Sequence, residues 1–163
     1  MTTLQVERND DRVRELMWFL GVIDKASLAT TDGIMPAIAT IFVVHDQADV
    51  FFKSRTASHH SKNVQESPRA ALAAYLEGSS YDAKFGAQLV GTVSRIRDVP
   101  MMQRCVDLYA ARFAGSAAKL PSLEELCSDE VASTFYRFRI EAFKIVDEDK
   151  VQNRTMLTFV SLE

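Results

Sequence analysis

The sequence predicts a mainly β protein with flanking helices, in which six or seven strands form an antiparallel sheet that closes into a barrel. Three observations lead there. After residue 25 the apolar residues follow strand-like runs instead of a helical period, and they do so through residue 97. The runs are mostly joined by hairpin-length turns, too short for the crossovers that parallel neighbours need. An antiparallel sheet of this size escapes exposed edges by closing on itself.

Asp10 or Asp11 can cap a first helix over about 10–21, with Val13, Leu16, Met17 and Leu20 on one face and Gly21 at its end. Trp18 and Phe19 widen that stripe, so the helix must pack across a sheet or barrel mouth. Strands follow at 26–31 and 35–44, joined by an Asp32-Gly33 turn, and at 50–53 after a polar turn. A polar loop and short helix end at Pro68, and strands at 69–76 and 84–97 come next. Gly86 and Gly91 in the longer strand signal bends, bulges or the close approach of something flat. Asp98 and Pro100 open a helical insertion over about 99–128 that buries Met102, Cys105, Val106, Tyr109 and Phe113, with a Ser122–Glu125 capping box near its end. The barrel resumes over about 134–161. Tyr136, Phe138 and Ile140 alternate with Arg137, Arg139 and Glu141, the phase slips after Ala142 as at a bulge, and residues 155–161 supply a last strand.

The 163 residues fit a single domain, 1–163. A net charge of -3 argues against a nucleic-acid or anionic-membrane binder, though not against a local basic pocket. There is no membrane-length apolar stretch and no secretion signal among the polar first residues. Cys105 and Cys127 lack CxxC spacing and read as reduced thiols, so the expected compartment is the cytoplasm.

Two segments could carry chemistry. In the first, 53–63, Arg55, His59, His60 and Lys62 stand among Ser54, Thr56, Ser58 and Ser61. With Ser58 as helix cap, hydroxyls, cations and free backbone N–H groups would converge as a phosphate monoester requires. A solvated surface loop has the same composition. The second is Gln88, an amide in an apolar strand that offers both donor and acceptor to a heterocycle, or simply faces water. Other chemistries lack their signatures. There is no GxxxxGK[ST], no GxGxxG and no GxSxG elbow. His59 and His60 are adjacent and diverge, so no metal site is expected.

In order along the chain come the Asp-Gly hairpin, Pro36, Val50-Phe-Phe-Lys53, the Ser/Thr/His/Lys loop, Asn63-Val-Gln-Glu-Ser-Pro68-Arg69 and Gln88-Leu-Val-Gly91. This order resembles the pyridoxamine 5'-phosphate oxidase-related, FMN-binding split-barrel family. The segments Leu108-Tyr-Ala-Ala-Arg-Phe113 and Phe135-Tyr-Arg-Phe-Arg-Ile140 are similar to a poorly characterised bacterial subgroup of it.

The resemblance implies a homodimer with FMN at the subunit interface. It assigns the phosphate to Lys53, Ser54, Thr56, Ser58, His59, His60, Lys62 and Asn63. Backbone groups of Ile38, Ala39, Thr40 and Ile41 would run beside the ring, and Gln88 would sit near the ring or ribityl chain. Two departures matter. His59-His60 stands where relatives carry Arg-Lys or a lone Lys, so FMN affinity should weaken as pH rises past the histidine pKa, ordinarily about 6.5. No Arg-rich tail is evident in residues 150–163, so vitamin B6 oxidation is not expected. The leading expectation is an FMN-dependent oxidoreductase acting on an unidentified small substrate, with a nicotinamide as a candidate electron donor. A non-catalytic flavin-binding or sensing module and a barrel holding haem or a deazaflavin are the alternatives.

Overall fold

The computed structural model describes residues 3–6, 11–76, 85–117, 120–147 and 159–162. Helix α1 (Asp11–Val22) turns Leu16, Phe19 and Leu20 inward and closes one mouth of the sheet, as its stripe requires. The strands in chain order are β1 (Thr3–Val6), β2 (Lys25–Thr31), β3 (Pro36–Asp46), β4 (Asp49–Arg55), β5 (Arg69–Tyr75), β6 (Phe85–Arg95), β7 (Ser133–Asp147) and β8 (Phe159–Leu162). The remaining helices are α2 (His59–Glu66), α3 (Val99–Arg112), α4 (Ala114–Ala117) and α5 (Leu123–Cys127).

The sheet order β1-β8-β7-β4-β3-β2-β5-β6 closes through a β6–β7 ladder, so six strands form the barrel. Apart from the parallel β1–β8 pair, every ladder is antiparallel. β1 lies where the sequence suggested only a polar terminus. The predicted final strand is present as β8, and the rest of its expected span falls outside the described residues. Residues 77–84, between the expected strands at 69–76 and 84–97, fall outside them too.

Closure depends on β7. Residues 133–139 pair with β4 and residues 136–147 pair with β6. Val90 lies opposite Ala142 and Gly91 opposite Ile140, so Glu141 is the extra residue of a bulge. The bulge therefore precedes Ala142 instead of following it. The strand glycines serve the chain's own packing: a Cβ on Gly91 would overlap the Arg139 carbonyl, and one on Gly86 would overlap the Tyr75 ring.

The β4 pair Phe51-Phe52 shows how alternation builds two cores. Phe52 points into the barrel with Leu28, Tyr136 and Phe138, and stacks on Tyr136 at 5.4 Å. Phe51 points outward under α3 and α5, with Phe135, Met102, Cys105 and Leu126. Arg112 at the end of α3 ties this layer to α1, donating to the carbonyls of Gly21, Val22 and Ile23 at 2.7, 2.9 and 2.9 Å. Those are carbonyls that a helix end leaves without partners.

One discontinuity positions the candidate site. Among the described residues the β3–β4 ladder joins only residues 43–46 to 49–52, whereas residues 36–42 pair with β2 alone. Beyond Phe52, β4 pairs only with β7. The barrel thus opens between β3 and β4, and α2 follows directly from the open end of β4.

Candidate functional site

The loop between β4 and α2 is fixed at both sides. Thr56 is pinned to the start of β7, its N–H donating to Ala132 O at 3.1 Å and its hydroxyl to Val131 O at 3.0 Å. The Ser58 N–H donates to Arg55 O at 3.1 Å, and the Ser58 side chain caps α2 by accepting from the Ser61 N–H at 3.3 Å. The expected cap is therefore present, and it orders a polar cluster around it. Ser54 Oγ lies 2.7 Å from His60 Nε2 and 3.1 Å from Ser58 Oγ, and Ser58 Oγ lies 3.2 Å from the same ring nitrogen. Ser58 also donates to the fully buried Ser61 hydroxyl at 2.8 Å.

His60 is half-buried against Phe52, with ring centroids 6.4 Å apart. Burial, and secondarily the neighbouring His59, pull its pKa below the ordinary 6.5. At neutral pH it is an uncharged hydrogen-bonding group. For His60, the pH range over which the expected loss of charge falls is therefore displaced below 6.5. Fixed positive charge in the segment comes from Lys53, Arg55 and Lys62, the last two exposed, and among the described residues no ion pair neutralises any of them.

Of the residues assigned from the sequence, the fold gathers Ser54, Ser58 and His60, with exposed His59 and Lys62 on the first turns of α2 beside them. Three others have different surroundings. Lys53 lies on the opposite face of β4 from Ser54, by strand alternation. The Thr56 hydroxyl serves the β7 junction. Asn63 is buried and donates to Thr30 Oγ1 at 3.2 Å, which joins α2 to β2. On β3, Ile38 and Thr40 face out while Ile41 enters the core. Any contact from all four residues 38–41 must be through backbone, and this stretch has the unpaired edge to make it. Sequence patterning could not show that edge, because it depends on where β4 leaves β3.

Gln88 stands on the outer face of β6, between Ala73 of β5 and Lys144 of β7. Ala73 pairs with Ser27 and Ser27 with Thr40. Gln88 is thus three strand spacings from Thr40, about 14 Å around the barrel. One chain therefore does not bring Gln88 beside the β3 edge at Thr40. Outside β2, β5 and β6 runs a shallow groove of about 360 Å³, floored by Ala29, Ala71, Val90 and Gly91 and flanked by Thr31 and Arg69. An apolar strip adjoins the open edge: Ile34, Met35, Ile38 and Phe42 are 87, 61, 76 and 50% exposed.

A closed six-stranded antiparallel barrel, parted between two of its strands above a serine-capped helix, defines the split-barrel class. Comparison with known proteins agrees. The family profile described as pyridoxamine 5'-phosphate oxidase matches residues 19–147, and the chain belongs to that family. Among solved structures it is similar to the conserved hypothetical protein Rv2991 from Mycobacterium tuberculosis, with 16% identity, TM-score 0.70, and coverage of 88% of this chain and 89% of that one. It is also similar to HutZ, the haem storage protein of Vibrio cholerae, with 17% identity, TM-score 0.64, and coverage of 78% and 89%. A NimC/NimA family protein from Clostridium acetobutylicum shows 14% identity, TM-score 0.65, and coverage of 93% and 94%. At these identities the likeness establishes the fold alone. No curated protein matches the sequence. Among the described residues, no helix is long and apolar enough to cross a membrane, and no group of three or more His, Cys, Asp or Glu residues could hold a metal ion.

Proposed function

We propose that this chain is an FMN-binding flavoprotein that works as a homodimer and accepts electrons from a nicotinamide donor. The observation that carries the reading is the unpaired β3 edge, residues 36–42, beside the serine-capped start of α2. The residues present fit FMN. Its phosphate needs several donors that share charge, and the Ser54 and Ser58 hydroxyls, the first N–H groups of α2 and Lys62 provide them. Its ring carries a row of donors and acceptors along one edge, which a strand with free N–H and C=O groups can match.

Bound flavin supplies reversible electron and hydride transfer; the protein supplies position and electrostatics. Ser54 and Ser58 orient the phosphate end. Neutral His60 holds the Ser54 hydroxyl in place instead of adding charge. The β3 backbone would hold the ring, and exposed Ile38 would help to exclude water from it.

The second copy follows from two features. Gln88 is too far around the barrel to serve the same ring as the β3 edge within one chain, so it would reach the flavin of its partner. The strip of Ile34, Met35, Ile38 and Phe42 is the apolar surface that such a partner would cover.

Haem is the second reading, favoured by the likeness to HutZ. Against it, His60 Nε2 is engaged by Ser54 at 2.7 Å. The test is to load purified protein with FMN, remove the excess, and record the visible spectrum and the mass in solution. A retained flavin spectrum on a dimer is expected, with bleaching on addition of NADH or NADPH. A colourless protein overturns the flavin reading, and a haem spectrum after hemin loading would replace it. Retained flavin that no nicotinamide reduces would make the protein a binding module.

A further inference from the structure

The split leaves the two halves of the candidate site on different strands. The β3 edge is held by β2, with Ala37 paired to Thr30 and Thr40 to Ser27. The Ser54–Ser58–His60 cluster belongs to β4 and α2, and among the described residues no ladder joins β4 to β3 beyond Phe52. A ligand that touches both halves needs something else to fix how far apart they stand.

Helix α2 packs against β2, β3 and β6, with Val64 in the barrel core, so it lies across the mouth that the split opens. Toward β4, His60 Nε2 meets Ser54 Oγ at 2.7 Å. Toward β2, Asn63 Nδ2 donates to Thr30 Oγ1 at 3.2 Å. Thr30 shares the inward face of β2 with Ala26 and Leu28. Asn63 and Thr30 are 2 and 4% exposed, so solvent does not compete for their bond. The Val64 contact is apolar and resists separation without fixing direction. The hydrogen bond fixes distance and angle. From the β3 edge the connection runs through Ala37, Thr30 and Asn63 to Lys62 and the Ser58 cap.

We propose that the Asn63–Thr30 bond sets the spacing between the phosphate end and the ring end of the site, and that it makes this chain select the phosphorylated flavin over riboflavin. The inference rests on the flavin reading and assigns Asn63 and Thr30 as positioning residues that touch neither end of the ligand. Without the bond each half still forms, Ser58 capping α2 and β2 holding β3. The phosphate then no longer arrives where its donors stand once the ring is bound. The loss falls on a ligand that spans both halves and spares one that uses the ring half alone.

Fluorescence titration of the intact protein with FMN and with riboflavin, beside urea unfolding, tests this. The parent is expected to hold FMN more tightly than riboflavin. Thr30→Val removes the acceptor and keeps the shape of the side chain. It should weaken FMN roughly tenfold and change riboflavin by less than about twofold. Thr30→Ser keeps the hydroxyl and should bind FMN as the parent does. Because Thr30→Val also lowers stability by stranding Asn63 Nδ2, the double variant Thr30→Val with Asn63→Leu separates the two effects. With both sides apolar it should recover stability without recovering the preference for FMN. Equal weakening of both flavins in Thr30→Val, unchanged FMN binding, the same loss in Thr30→Ser, or a preference that returns with stability in the double variant overturns the proposal. So does a parent that binds the two flavins alike. A parent that binds neither overturns the flavin reading itself, and the positioning role with it.

Discussion

Ser58 is the residue whose replacement best separates what holds the candidate site together from what the site binds. Its hydroxyl caps α2 and donates to Ser61 Oγ, which is 0% exposed. Ser58→Ala removes the cap, worth about 1 kcal/mol. It also leaves a buried hydroxyl short of one partner, worth about 1 kcal/mol more. The sum of about 2 kcal/mol lowers the melting temperature by about 4–8 °C for a domain of this size. Ser58→Asp keeps a good cap, so stability falls by less than about 1 kcal/mol. It also places a negative charge where the phosphate is proposed to sit. At least about 2 kcal/mol of repulsion against a dianion follows, or roughly thirtyfold weaker FMN binding. Urea unfolding reads the first effect and flavin fluorescence titration reads the second. A folded Ser58→Asp protein that binds FMN as the parent does would refute the phosphate assignment. A Ser58→Ala protein as stable as the parent would refute the capping argument.

Three further outcomes are expected. His60 is held neutral by burial, so it contributes stability above the unfolded value near 6.5 that is lost as pH falls through its lower folded value. His60→Gln should flatten the fall in melting temperature between about pH 7.5 and 5, and an unchanged slope would assign that fall to other groups. Gly91→Ala presses a methyl into the Arg139 carbonyl at the barrel seam, where backbone cannot yield cheaply, and should cost roughly 1–3 kcal/mol in urea unfolding. Burial pushes the Cys105 thiol up to about 12, so at pH 8 a disulfide reagent should leave it unmodified in the native protein and modify it only after unfolding. Rapid loss of both thiols from the folded chain would contradict its burial under α3.

Much of the barrel was legible because its information is local. Asp32-Gly33, Pro68 and Asp98-Pro100 punctuate the chain, and alternation in Phe51-Phe52 and Tyr136–Ile140 reports which side chains enter a core. The Ser58 cap was legible for the same reason, since a serine three residues before its N–H partner is a local event. The bulge was read one residue late, because its position is set by which β6 residue faces Ile140, and that residue is Gly91. The meaning of Gly91 and Gly86 was equally hidden: the crowding comes from strands distant in sequence, not from a ligand.

By itself, then, the sequence determined the strand and helix order, the serine-rich loop and the antiparallel character of the sheet, all consequences of periodicity and turn chemistry. Only the tertiary structure decided which loop residues converge. Lys53 and Ser54 part because neighbours in a strand face opposite sides, Thr56 is taken by β7, and Asn63 is drawn inward to Thr30. It alone opened the β3 edge, because β4 keeps β7 along its whole length but parts from β3 after Phe52, and it alone placed Arg137 and Arg139 against one Asp49. These are relations between segments far apart along the chain, fixed by ladder register and barrel closure, and no local pattern encodes them.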